Sequence, residues 1–198
     1  MYREILRDAR FLELLLKIDR EKCAEVRACR CPKLRCGGPM HAGHFRRKPR
    51  GFGLLRGGEA PPDGFDVRFD LCCGSCRQRT MPESVRFLGR KVYLGVVIVI
   101  ASVFARGPSR DALRLLQAHL QVSWNTLARW RIWWLELPRS GFWQSVRGLL
   151  PVELDLDALP ESLLGRFQGE PAEKVVRLMR LLGPLTARGF PSALGDSR

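Results

Sequence analysis

The sequence predicts a mainly α fold that carries one small β module and a three-helix unit, with further helices on either flank. Three observations predict it. Apolar residues recur at three- and four-residue steps over most of the chain. One stretch, Phe65–Leu71, alternates strictly, and six of the seven cysteines fall between Cys29 and Cys76. The reading divides the chain into an amphipathic helical segment at 1–28, a cysteine-bearing β module at 29–85, a helical unit at 86–138, a C-terminal helical region at 139–185 and a flexible tail at 186–198.

In the first segment Ile5, Phe11, Leu12, Leu15, Leu16 and Ile18 share helical spacing, giving one or two amphipathic helices. The next segment holds the cysteines. Cys73-Gly-Ser-Cys76 places two thiols in one tight turn, able to aim both sulfurs at one ion. Upstream, Cys31-Pro-Lys-Leu-Arg-Cys36-Gly-Gly has proline after its first cysteine and glycines after its last. Cys31, Cys36, Cys73 and Cys76 are therefore the expected ligands of a tetrahedral Zn2+, with Cys29 and Cys72 as alternates, one per pair. Cys23 lies in the preceding helical stretch and reads as a plain buried thiol. His41 and His44, in MHAGHF, are competing ligands that four cysteines make unnecessary.

Strand-like segments join the cysteine pairs. MHAGHFRR is the first. In the second, FDVRFDL, Phe65, Val67, Phe69 and Leu71 take one face and Asp66, Arg68 and Asp70 the other. Two knuckles with strands between them resemble a zinc ribbon over residues 29–80. A basic, Gly- and Pro-rich loop lies between the strands, with Arg46, Arg47, Lys48 and Arg50 suited to phosphate contacts.

Downstream, the apolar run Val92–Ala105 suits a buried helix. Ser109 caps a second, with Ala112, Leu113, Leu116 and Leu120 on one face. A break at Leu120–Ser123 precedes a third, in which Leu127, Trp130, Trp134 and Leu137 line one face and Asn125, Ala128, Arg129 and Ile132 the other. The pattern LxVSxxTLxRWRxWW resembles the turn and recognition helix of homeodomain-like helix-turn-helix domains in transposases, with Gln121 where such turns often carry glycine. The resemblance implies a trihelical unit and extends its first, buried helix to Leu88–Ala105. Trp124, Asn125 and Arg129 would then reach base edges and Arg131 would contact DNA beside them. The C-terminal region reads as helices near 139–149, 159–168 and 170–183. Its acids Glu153, Asp155, Asp157 and Glu161 suit caps and a soluble surface better than a catalytic centre.

Charge fits the same reading. Lys and Arg number 34 against 20 acids, a net +14 and a pI near 10.4. Residues 1–70 carry net +6, residues 71–135 net +8 and residues 136–198 net zero. A polyanion is the expected partner, nucleic acid first. The N-terminus has no export signal, and the longest apolar run, Val92–Ala105, is too short for a membrane span. A cytoplasmic, nucleoid-associated protein with no membrane contact is expected, which argues against a disulfide framework.

As a whole the arrangement resembles transposase N-terminal regions and transposase accessory proteins of bacterial mobile elements. That implies a zinc- and DNA-binding protein without catalysis of its own, working beside a transposase or other mobile-element protein, or as a regulator. Two other classes compete: a zinc-dependent nuclease or recombinase, and an adaptor that docks a protein partner through the ribbon and N-terminal helix.

Overall fold

The structure is a computed structural model that describes residues 5, 8–48, 61–88, 93–104, 122–150 and 153–188. Six α-helices and five short strands fall within these residues: α1 Ala9–Ala28, β1 Met40–Ala42, β2 Phe45–Arg46, β3 Val67–Arg68, β4 Leu71–Cys73, β5 Arg79–Thr80, α2 Gly95–Phe104, α3 Trp124–Glu136, α4 Gly141–Val146, α5 Glu161–Arg166 and α6 Pro171–Leu181. The fold is mainly α with a small β element.

Helix α1 begins at Asp8, whose carboxylate accepts the Arg10 N–H, and buries Phe11, Leu12, Leu15, Leu16, Ile18 and Cys23. The strands form two antiparallel sheets, β1–β4–β5 and β2–β3. Met40 pairs with Cys73, and Leu71 with Ala42 and Thr80. One hydrophobic cluster draws residues from α1, the strands, α2, α3 and the C-terminal helices.

Three expectations need correcting. FDVRFDL is not one continuous strand. Residues 63–66 form a turn, the pairing is split between β3 and β4, and Arg68 and Asp70 are both 2% exposed. Asp66 and Val67 stay partly exposed, while the buried Arg68 and Asp70 find hydrogen-bond partners. Arg68 donates through Nη2 to the Pro82 and Thr186 carbonyls at 2.6 and 3.0 Å, while Asp70 accepts from Arg79 Nε at 2.6 Å. The helix expected from Leu88 starts at Gly95 instead, because Leu94 bridges Phe87 in extended pairing and the Gly95 N–H bonds the Arg86 carbonyl. Thr186 and Arg188, expected in the tail, are ordered: Thr186 is buried and Arg188 forms an antiparallel bridge with Met81.

A fully buried ion pair sits where these parts meet. Asp19 of α1 accepts the Ser84 hydroxyl at 2.5 Å, the Val85 N–H at 2.7 Å and Arg86 Nε at 2.8 Å. The same guanidinium donates to the carbonyls of Phe65 at 2.5 Å, Gly64 at 3.3 Å and Val67 at 2.9 Å. It lies 5.0–5.5 Å from the ring centroids of Phe65, Phe69 and Phe87, within cation–π range. Burial lowers the Arg86 pKa, and Asp19 opposes that shift.

The C-terminal helices lie close to their expected places. Helix α4 is capped by Ser140, and α6 opens with a capping box of Glu170 and Glu173 around Pro171. Among the described residues no helix is long and apolar enough to cross a membrane.

Candidate metal centre and basic surface

Two turns build the centre. In the first, the Cys31 N–H bonds the Gly38 carbonyl and the Cys36 N–H bonds the Lys33 carbonyl, folding the six-residue Cys31–Cys36 stretch into a loop. In the second, the Cys73 N–H bonds the Gln78 carbonyl and the Arg77 N–H bonds the Cys73 carbonyl. The residue after each second cysteine is left-handed, Gly37 at φ 57° and Arg77 at φ 61°. The two turns pack face to face at Gly38, where a β-carbon would come within 2.5 Å of Ser75 Oγ and 2.8 Å of Cys73 Sγ. Only glycine fits that approach.

Four sulfurs converge as a result. Cys31, Cys36, Cys73 and Cys76 place their Sγ atoms within 4.8 Å of one another, and the Cys31–Cys76 and Cys36–Cys73 separations are both 3.6 Å. This is the set expected from the sequence, and it can hold a metal ion. The alternates stand apart from the cluster: Cys29 is exposed at the end of α1, and the Cys72 thiol points to the Cys73 and Arg77 carbonyls.

The electrostatics suit a bound cation. Desolvation pushes the Cys31 thiol up to about 12. Cys36 is raised as well; the Gly38 N–H opposes this, and contacts with the Cys76 and Cys73 sulfurs outweigh it. Cys73 is lowered to about 6, chiefly by the Cys76 N–H and further by that of Ser75. Backbone donors thus favour the thiolate at Cys73, while burial disfavours it at Cys31.

His41 is exposed on β1, opposite Cys72. His44 Nδ1 lies 2.9 Å from the Asp70 carbonyl, and its ring packs edge-on to Phe69. Neither histidine belongs to the sulfur cluster. Asp155 caps a short helical turn by accepting the Asp157 and Ala158 N–H groups, and Glu153, Asp157 and Glu161 are exposed.

The expected nucleic-acid contacts lie on two surfaces. Arg46 is exposed and pairs with Asp66 at 3.1 Å. Arg47 is partly buried with its guanidinium 5.3 Å from the Phe87 ring centroid, and Lys48 is exposed. Arg50 and the rest of the basic loop lie outside the described residues.

Helix α3 is capped by Ser123, packs on α2 through a Trp134 Nε1 to Ser102 Oγ hydrogen bond of 2.9 Å, and meets Tyr93, just before α2, through a T-shaped contact with Trp130. Its inner stripe, Leu127, Trp130, Trp134 and the following Leu137, is buried as expected. Trp124, Asn125, Arg129 and Arg131 are exposed. The helix expected at 109–120, with the turn residue Gln121, lies outside the described residues.

Sequence reasoning missed Asp19, Arg68 and Arg86, which frame the metal module from within. No local signal marks them, since charged residues in alternating or helical patterns read as solvated faces. Comparisons with protein-family models, curated proteins and solved structures find no match.

Proposed function

We propose that this protein is a zinc-stabilised DNA-binding protein without catalytic activity of its own, acting as a regulator or beside a transposase of a mobile element. Zinc is the favoured metal because four thiolates make a closed tetrahedral site. Ligands at about 2.3 Å in that geometry put sulfurs about 3.8 Å apart, near the 3.6 Å of the two cross-turn pairs. Among the described residues the group consists of four cysteines alone, and a closed four-thiolate site of that kind supplies folding energy.

The DNA reading rests on one observation above others: α3 buries its Leu127–Trp130–Trp134 stripe and turns Asn125, Arg129 and Arg131 outward, on a chain of net +14. In a trihelical helix-turn-helix that face enters the major groove, where arginine suits guanine and asparagine suits adenine. The test is duplex selection with the zinc-loaded protein, followed by titration of the preferred and a scrambled site. Arg129→Ala and Asn125→Ala should each cost about 1–3 kcal/mol on the preferred site and relax specificity. Unchanged affinity and specificity for Arg129→Ala would remove α3 from the interface.

A second reading has its own support. The outer face of α3 also shows Trp124 at 59% exposure and Ile132 at 53%, apolar groups that suit a protein partner. An adaptor of that kind would bind DNA weakly and with little dependence on salt.

A further inference from the structure

Three residues other than glycine have positive φ among the described residues: Arg30 at 61°, Arg35 at 63° and Arg77 at 61°. All three are arginines, all are exposed, and all flank the four-cysteine centre. Each stands where the backbone would favour glycine. Arg30 follows the C-cap of α1, the helix-end position glycine most often takes. Arg35 lies within the first cysteine turn, and Arg77 holds the place that Gly37 holds in the other turn. A β-carbon is disfavoured in this conformation, and arginine offers no local backbone hydrogen bond of the kind that lets asparagine tolerate it. The fold alone gives no reason for arginine at these three positions.

The side chains are not used to build the core either. Among the described residues none of the three meets a carboxylate; their only side-chain hydrogen bond is a 3.4 Å contact from Arg30 Nη1 to the Gly37 carbonyl. Lys33 is exposed between them. Residues 26–58 contain no acid, and neither do residues 71–82. The metal-held turns thus carry cations spread over three separate backbone corners, on a frame fixed by four sulfurs. A phosphate backbone presents charges at intervals and can meet several such cations at once.

We infer that the outer face of the cysteine turns, with Arg30, Arg35 and Arg77 at its centre and Lys33 beside them, is a phosphate-binding surface for duplex DNA. This rests on the DNA reading above and adds a second contact surface to α3. Positioning of this kind carries affinity and register rather than sequence.

The left-handed backbone makes the test selective. Changing Arg30, Arg35 and Arg77 together to glycine suits the backbone, so the zinc-loaded variant should keep its metal and denature at no lower temperature than the wild type. Its affinity for any duplex should nevertheless fall about a hundredfold or more at 0.1 M salt, and the slope of log K against log salt should flatten by about 2–3 units. The corresponding triple lysine variant, which keeps the charge, should retain most of the affinity. If the glycine triple does not fold, Arg77→Asn alone is read the same way, with about one unit of slope expected. A folded, metal-bound glycine variant with wild-type affinity and slope overturns the inference. If Arg129→Ala still weakens binding in that case, the DNA reading survives without this surface. If the wild type binds no duplex, both fall.

Discussion

Arg86→Met strips the guanidinium from the cage around Asp19. Methionine fills much of the same volume, so the cavity left behind is small and the cost is electrostatic. The lost partner served Asp19 Oδ2 and the carbonyls of Gly64, Phe65 and Val67. Asp19, 1% exposed, would keep only the Ser84 and Val85 donors and no countercharge. Removing one member of a buried ion pair costs about 3–5 kcal/mol. The Phe65 and Val67 carbonyls lose their guanidinium donor, at about 1–3 kcal/mol each, which leads independently to a similar range, while the Gly64 carbonyl keeps the Val67 N–H. Against a typical total of about 5–15 kcal/mol, most of the stability is at stake. Urea unfolding followed by tryptophan fluorescence should show the midpoint falling by about 2 M, for a slope near 2 kcal/mol/M. The double variant Asp19→Leu/Arg86→Met removes both charges and should cost less than the two single changes combined, with a coupling of about 2 kcal/mol or more. An Arg86→Met protein within 1 kcal/mol of wild type, or single costs that simply add, would refute the role given to the pair.

Other consequences can be measured on the same protein. Purified protein should carry one zinc per chain, and the pair Cys73→Ser/Cys76→Ser should lose it and unfold the cysteine module, read by elemental analysis and circular dichroism; a metal-free wild type would end the zinc reading. Acid should release the metal, because protons compete for the four thiolates as pH falls. Full retention at pH 4 beside a chromogenic chelator would count against the four-thiolate set. Trp130→Ala should cost about 3–5 kcal/mol by emptying the contact with Tyr93, and a loss below 1 kcal/mol would mean that α3 is not anchored there. Ser102→Ala should cost about 1–3 kcal/mol, since the buried Trp134 N–H then has no acceptor; thermal denaturation decides it.

The four-cysteine group was legible because its information is local. Two cysteines in a turn, with glycine and proline where the chain must reverse, name the ligands without knowledge of the rest. Helix α3 was legible for a similar reason: Ser123 caps it, and the apolar spacing after it identifies the buried face. The strand and the charged core were not. Phe65–Leu71 alternates, and alternation assumes that one face meets water. Here Arg68 turns inward onto carbonyls 14 and 118 residues away, and Asp70 turns inward onto Arg79 of the neighbouring strand. Asp19 and Arg86 lie 67 residues apart, so neither is recognisable as a partner until the chain has folded. The late start of α2 was hidden likewise: Leu94 has the apolar character of a helix residue, and its pairing with Phe87 overrides that preference.

The bonds that Thr186 and Arg188 make to the cysteine module have a consequence for synthesis on the ribosome. Thr186 meets Ser84 and Arg68 across 102 and 118 residues, and Arg188 meets Met81. At about 5–20 residues per second, the ribosome takes roughly 5–20 s to travel from Arg86 to residue 188. During that interval the cysteine turns can bind their ion and α1 can dock, while Arg68 still lacks its Thr186 acceptor and the Met81 edge stays unpaired. Exposed strand edges and unsatisfied charges invite association with other chains. Early metal capture would therefore act as a holding state, fixing the turns until the C-terminal segment arrives to close the core. A nascent chain stalled before residue 186 should bind the metal yet remain sensitive to protease around Arg68 and Met81, and release past residue 188 should remove that sensitivity.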